Sequence, residues 1–323
     1  MTLKDITHPL QSELKAFEEV FKQTMRSKIS FVDAIARYLI RQKGKKIRPL
    51  LVLLSADLCG GINESTYRGA ALVEILHTAT LIHDDVVDDA DTRRGLASLN
   101  AVWKNKVAVL MGDYLYAKGL LLSLDHRDFQ FLQIISRAVK RMSEGEIHQI
   151  AKSRALDIDE ATYYDIISDK TASLFSTCCE IGAASATTDE ALHARMREFG
   201  ENIGIAFQIR DDVLDYIGRK SITGKPKGLD FSEKKLTLPL IYSLEKAPQQ
   251  KAKQIMRLVK NGANRKGLAT IVEFALNYGG ITYADQKAAS YSDRARQTLS
   301  HFPESPTKAA LKELVNFVAQ RAK

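Results

Sequence analysis

Apolar residues recur along this chain at spacings of three and four rather than at alternate positions, which predicts helices throughout and no sequence of strands. Pro9 opens an amphipathic stretch to about Met25, with Leu10, Leu14, Phe17, Val20 and Phe21 on one face. A second runs from about Ser30 to Arg41, carrying Phe31, Ile35, Leu39 and Ile40. Pro49 starts a third through Leu58, closed by Gly60 and Gly61. A long helix from about Glu64 leads into the acidic run His83-Asp84-Asp85-Val86-Val87-Asp88-Asp89-Ala90-Asp91. Further helices are expected over Val107 to Leu124, Phe129 to Ala151, Glu160 to Ser168 behind an Asp157-Ile158-Asp159 cap, and Glu190 to Ile217. The segment Gly218 to Lys235 is too polar and Gly-rich for a helix and reads as a lid or crossover loop. Beyond it, breaks near Pro248, Gly262, Gly279-Gly280 and Pro303 separate about four amphipathic helices with no chemical cluster.

Composition agrees with a large helical core. The 323 residues are 45% hydrophobic and 27% charged, with only 18 Gly and 7 Pro, and no linker or repeat divides them, so one domain over 1–323 is expected. No Gly-rich phosphate loop follows a strand, which argues against a nucleotide-binding α/β fold. The net charge of +8 suits an anionic partner. No basic run interleaved with aromatics supports nucleic acid. Cys59, Cys178 and Cys179 have no metal spacing and read as buried, reduced thiols of a cytoplasmic protein. The longest apolar run, Leu50 to Ala56, is too short to cross a bilayer.

The chemistry begins at the acidic run. Asp84 and Asp88 fall at i and i+4, with Cβ atoms roughly 5–6 Å apart, a like-charge spacing that weakens a helix. They also stand at its C-terminal end, where the helix dipole disfavours anions. Oxygen ligands with no cysteine suit a hard ion such as Mg²⁺. A single Asp-x-x-x-Asp would read as a solvated helix end, but the pattern returns. Phe207-Gln208-Ile209-Arg210-Asp211-Asp212-Val213-Leu214-Asp215 repeats Asp-Asp-Val-aliphatic-Asp at the end of a second apolar helix. Cations flank these motifs in Lys43-Gly44-Lys45-Lys46-Ile47-Arg48-Pro49, where Arg48 offers a bidentate fork and Lys45 a point charge, and in Arg93-Arg94-Gly95. His77, seven residues before Asp84, and Lys170-Thr171 read alone as core and surface residues.

Together these motifs, in this order over nearly the whole chain, resemble the trans-type isoprenyl diphosphate synthases. The resemblance implies a single all-α bundle around a deep apolar cavity, usually a homodimer. It implies Mg²⁺ at Asp84, Asp88 and Asp211, with Asp85, Asp212 and Asp215 supporting, and about three ions once substrate is bound. Arg93, Lys170, Thr171, Gln208, Lys225 and Lys235 would hold or close over an allylic diphosphate. Lys45, Arg48, His77 and Arg94 would hold isopentenyl diphosphate. Asp84, Asp88, Asp211, Lys170 and Arg93 would be the catalytic set, neutralising the leaving diphosphate.

In this family bulky residues four and five positions before the first aspartate close the cavity floor, and here Thr80 and Ala79 are small. One helical turn is about 5.4 Å, close to one isoprene unit, so a long product of about six to ten units, centred on eight, is expected. Such tails commonly serve respiratory quinones, and their release would bring the protein into peripheral membrane contact. The alternatives are a shorter-chain (farnesyl or geranylgeranyl) synthase, a terpene cyclase, a His-Asp phosphohydrolase using His83-Asp84, and a non-catalytic subunit of a heteromer. The second diphosphate clamp argues against the cyclase, the lack of further His ligands against the hydrolase, and the intact motifs against the subunit.

Overall fold

A computed structural model describes residues 6–42, 44–217 and 236–319. It is helical almost throughout, as the periodicity predicts. The helices are α1 Gln11–Met25, α2 Ser30–Arg41, α3 Ile47–Cys59, α4 Glu64–Val87, α5 Leu99–Asp125, α6 Phe129–Ala155, α7 Glu160–Ile167, α8 Ser173–Ala186 and α9 Glu190–Ile217. After the undescribed stretch come α10 Leu238–Lys246, α11 Gln249–Lys260, α12 Arg265–Asn277, α13 Gly280–Thr298 and α14 Pro306–Ala319. Five helices, rather than about four, occupy the C-terminal part, divided at the breaks read from Pro and Gly. Strands are confined, among the described residues, to the two-residue pairs β1 Thr92–Arg93 and β2 Leu96–Ala97.

The chain separates into two compact units, one drawing on Lys4–Arg137 and Thr177–Arg197, the other on Ala138–Ser176 and Glu198–Lys323. In the first, α3 is buried over its whole apolar run from Leu50 to Ala56. Beside it, α4 starts on a reciprocal cap: Asn63 accepts from the Ser65 and Thr66 amides (2.8 and 3.2 Å), and Thr66 Oγ1 accepts from the Asn63 amide. Gly69 leaves α4 without a Cβ where Ile181 packs; one built there would stand 2.6 Å from the Ile181 methyl. A core of Met25, Ile35, Ile75, Ile82, Met111 and Leu115 gathers α1, α2, α4 and α5. The structure begins α5 at Leu99, eight residues before the sequence signal at Val107. It runs through a non-helical Lys104 (φ 70°, ψ 160°) that breaks the apolar periodicity there.

In the second unit, α7 opens on the expected cap, Asp159 accepting from the Thr162 amide at 2.8 Å. It passes into α8 through a π-helical turn, Ser168–Ala172, a form concentrated at functional sites. Close approach holds this turn. A Cβ at Gly145 of α6 would lie 2.8 Å from Asp169 Cβ, and one at Gly204 of α9 would lie 2.6 Å from Ala172 Cα. Arg141 of α6 ties the turn down, donating to Asp169 Oδ1 (2.8 Å), Ser168 Oγ (2.9 Å) and Glu201 Oε1 (2.9 Å).

Candidate functional site

The first unit holds the first acidic motif and most of the predicted cationic clamp. Asp84 lies in the last turn of α4 and Asp88 caps it, its amide donating to the Asp84 carbonyl at 2.8 Å. Both side chains are exposed, whereas Asp85 between them is 3% exposed. Burying that carboxylate is tolerable because it is paired: Arg93 donates to Asp85 Oδ1 through Nε at 2.7 Å and also through a terminal nitrogen. The carbonyls at the end of α4 are satisfied by Asn100 Nδ2, which donates to Asp85 and Ala90, and by Ser98 Oγ.

Arg93 reaches Asp85 because Arg94 and Gly95 turn the chain back. Both have positive φ (51° and 80°) between paired β1 and β2, the requirement of a tight I′ hairpin. Arg94 then donates to the Gln42 carbonyl at 3.3 Å and lies against Gly44, where a Cβ would sit 2.7 Å from its guanidinium. The glycine of the Gly-Lys-Lys loop therefore makes room for Arg94, and the residue in the left-handed region is Lys46 (φ 52°).

Arg48 at the start of α3 has its Nε out of solvent with no hydrogen-bond partner among the described residues. Burial lowers its pKa, Glu74 opposing that, and the group remains a cation. His77 is 7% exposed, and its pKa is driven well below the ordinary value by burial and then by Arg48, Arg94 and Arg93. It is a neutral imidazole surrounded by cations. Arg48, His77 and Arg94 are thus brought together as the resemblance implies, with Lys45 exposed on the same loop. A buried guanidinium and a histidine kept neutral by burial and by neighbouring positive charge are electrostatics suited to an anion.

His83 takes the structural role: its ring lies against Gly112, where a Cβ would be 2.2 Å from Nε2, and within 3.2 Å of the Val109 carbonyl. Gly112 is accordingly small for His83's sake. Of the chain-length pair, Ala79 is 1% exposed within the packed α1, α2, α4 and α5 core, while Thr80 is half-buried and bonds to the His77 carbonyl at 2.9 Å.

The second unit repeats the acidic arrangement. Asp211 is exposed and Asp212 is 5% exposed; Asp215 is half-buried. Asp212 is held from both sides, Gln208 Nε2 donating to Oδ1 at 2.7 Å and the Tyr163 hydroxyl to Oδ2 at 2.7 Å. Thr171 extends the chain by donating to Gln208 Oε1 at 2.9 Å. Tyr163 is buried, and burial followed by the Asp212 charge raises its pKa well above the phenol value, so it stays a donor. Nothing in the sequence reading had marked it. Lys170 on the π turn donates to Gln149 Oε1 at 3.0 Å and pairs with Glu146. Tyr163, Lys170, Thr171, Gln208 and Asp212 line a cavity of about 210 Å³ together with the apolar Ile158, Ile166, Ile167 and Leu236. Lys225 and Lys235 lie outside the described residues.

Each motif therefore exposes its first aspartate and buries its second behind a donor. Among the described residues no three His, Cys, Asp or Glu side chains gather closely enough to hold a cation alone. Exposed hard carboxylates in pairs fit Mg²⁺, which is characteristically bound by one or two carboxylates completed by substrate phosphate oxygens.

The fold and these residues define an all-α protein whose exposed carboxylates, with Arg, Lys and His nearby in each unit, suit metal-assisted binding of phosphorylated anions. The polyprenyl synthetase family model matches residues 29–274, and the chain belongs to that family. It is 34% identical to an all-trans-nonaprenyl-diphosphate synthase of Rhodobacter capsulatus over 98% of both chains. It is 31% identical to an octaprenyl diphosphate synthase of Escherichia coli (strain K12) over 99% of both. Among solved structures, a polyprenyl synthase of Caulobacter crescentus CB15, complexed with calcium and isoprenyl diphosphate, superposes with a TM-score of 0.92. That match is at 34% identity, covering 100% of this chain and 98% of the other.

Proposed function

We propose that this prenyltransferase joins an allylic diphosphate to successive isopentenyl diphosphates, with Mg²⁺, to make an all-trans product of about six to ten isoprene units. The use we assign the product is as the side chain of a quinone. The observation that carries the reading is the twofold split of the acidic motifs: Asp84 and Asp211 exposed, Asp85 and Asp212 buried and donor-bound.

In this reading Asp84, Asp88 and Asp211 would be the residues that hold Mg²⁺. Bound Mg²⁺ supplies positive charge that neutralises the leaving group. Lys170 exchanges Glu146 and Gln149 for a diphosphate oxygen, and Thr171 and Gln208 orient beside it. Arg93 can swing from Asp85 onto the same anion. The allylic C–O bond breaks and leaves a carbocation. The double bond of isopentenyl diphosphate, fixed by Lys45, Arg48, His77 and Arg94, attacks it to form the new C–C bond, and a proton is lost to the departed diphosphate. No nucleophilic side chain is needed; burial pushes the thiols of Cys59 and Cys179 up to about 12, which keeps them protonated.

We further propose a homodimer formed through α5. That helix is long and apolar enough by composition to cross a membrane, yet only 33% of that stretch is buried. Its outer face carries Val102, Val109, Leu110, Leu121 and Leu124, each 40–59% exposed, over about 33 Å. A soluble monomer rarely leaves so long an apolar stripe uncovered. The protein acts in the cytoplasm, as its buried free thiols suggest, touching a membrane to release its product. The test is to incubate the pure chain with Mg²⁺, farnesyl diphosphate and isopentenyl diphosphate and size the products. Prenyl chains of about C30–C50 are expected. Products ending at geranylgeranyl length would establish the short-chain alternative, and diphosphate release from the allylic substrate alone, with hydrocarbon, the cyclase.

A further inference from the structure

From Lys246 to Val272 the chain carries seven Lys and Arg residues and no Asp or Glu, so the remainder of a protein of net charge +8 is close to neutral. The structure gives this tract a direction. Ile255 and Val259 of α11 are 5% and 0% exposed, and on the opposite side Lys253, Arg257 and Lys260 stand at i, i+4 and i+7, all exposed. At 3.6 residues per turn the three fall within an arc of about 60° and span about 10 Å. Lys266, in the first turn of α12, is exposed as well.

Like charges at i and i+4 weaken a helix, so the fold gains nothing from the stripe. Neighbouring ion pairs leave it alone: Lys287 goes to Glu160 and Arg210 to Asp285. No carboxylate among the described residues pairs with Lys253, Arg257 or Lys260. At the N-terminal end of α11 the Lys251 ammonium sits 5.9 Å from the Tyr278 ring centroid, two residues beyond Leu276, which is 54% exposed. The face thus combines an unpaired cationic stripe with an apolar foothold.

We propose that this α11–α12 face docks the protein on an anionic lipid surface. The proposal rests on the reading of the product as a long prenyl diphosphate, a molecule that must pass from a protein interior into a bilayer. Charge complementarity selects the partner. Juxtamembrane cations favour anionic headgroups, each multiplying binding roughly fivefold. A nucleic-acid site would be expected to present stacking rings among its cations, and no ring contact involves Lys253, Arg257 or Lys260.

The experiment is flotation of the full-length protein with vesicles of phosphatidylcholine alone or mixed with phosphatidylglycerol. The protein should float with the mixed vesicles and not the neutral ones, and added salt should weaken the association. The K253E/R257E/K260E variant should lose about 100-fold or more in vesicle affinity. Its rate of adding the first isopentenyl unit to farnesyl diphosphate in free solution should be unchanged. Equal flotation with neutral vesicles, wild-type-like flotation of the variant, or equally tight binding of a polynucleotide would each overturn the proposal. So would indifference to all vesicles together with stripe-dependent capture of an acidic protein. Flotation needs no turnover, so a chain that binds vesicles but condenses nothing would overturn the synthase reading while leaving the docking result intact.

Discussion

Removing one hydroxyl tests the buried layer beneath Asp211. In the Tyr163→Phe variant the ring keeps its place in the α7–α9–α10 core, while Asp212 Oδ2 loses its 2.7 Å donor and Oδ1 keeps the Gln208 bond. A hydrogen bond to a charged group contributes about 1.5–3 kcal/mol. Since 1.36 kcal/mol is a factor of ten in rate, full expression of that loss in the transition state would lower kcat about 10- to 150-fold. Part of it will instead appear as reduced stability. The partition is measurable: single-addition kcat, KM for each substrate, the Mg²⁺ concentration for half-maximal rate, and thermal melting. If Asp212 fixes Asp211 and Gln208, kcat should fall and the Mg²⁺ requirement rise, with little change in KM for isopentenyl diphosphate. A variant that melts earlier but keeps wild-type kcat and Mg²⁺ dependence would refute the positioning role and leave Tyr163 a packing residue.

Asp84→Asn and Asp211→Asn should each remove nearly all Mg²⁺-dependent condensation with melting little changed; wild-type rates in either would withdraw the metal role from that residue. Thr80→Phe should shorten the product while preserving turnover. Ala79→Phe should shorten it too, at a cost of about 1–3 kcal/mol in stability because Ala79 is packed, readable by product sizing beside urea unfolding. His77, buried and neutral, has its folded pKa below its unfolded one. Unfolding therefore takes up a proton below about pH 6.5, and stability should fall progressively as pH drops through that value, less so in His77→Asn. In the proposed binding mode the diphosphate brings negative charge to this cationic nest and should raise the His77 pKa, so the wild type should take up more protons on binding at acid pH than His77→Asn does. Titration calorimetry in buffers of different ionisation heat reads that difference, and equal proton uptake by the two proteins would withdraw His77 from the site.

The helices were legible where their apolar spacing is regular: Ser30–Arg41 and Glu190–Ile217 fall where periodicity places them, and the C-terminal breaks sit at Pro and Gly. The start of α5 was not legible, because Lys104 leaves helical geometry and the apolar spacing loses phase across it. The π turn adds one residue to a helix otherwise continuous in pattern, so Asp169-Lys170-Thr171 reads as ordinary helix until Arg141 and Gly145 are seen gripping it. The hairpin at Arg94-Gly95 carried a signal, a glycine at the second turn position, masked by the chemical interest of its arginines. Which aspartate of each pair turns inward also had a signal. Asp85 and Asp212 fall three residues after Ile82 and Ile209, both buried, and so continue the apolar stripe. Their donors, Arg93 eight residues later and Tyr163 on another helix, are set by tertiary packing.

That inward aspartate explains how a helix end can carry so much negative charge in a stable protein. Two adjacent solvated carboxylates would repel each other and the helix dipole, and their orientations would wander. Burying one behind a fixed donor converts it from a repelling charge into a hydrogen-bonded anchor, which then sets the direction of the backbone and of its exposed neighbour. A cation arriving with a diphosphate meets a ligand whose direction is already fixed, so less ordering is required on binding. The donors differ, a guanidinium for Asp85 and a phenol with an amide for Asp212, and so should their behaviour. In the proposed mechanism Arg93 leaves Asp85 for a substrate anion, whereas Tyr163, buried and held neutral, stays with Asp212. The donor of the first motif is accordingly adjustable and that of the second fixed. Substitution of Arg93 should therefore raise the KM for the allylic diphosphate, where substitution of Tyr163 lowers kcat.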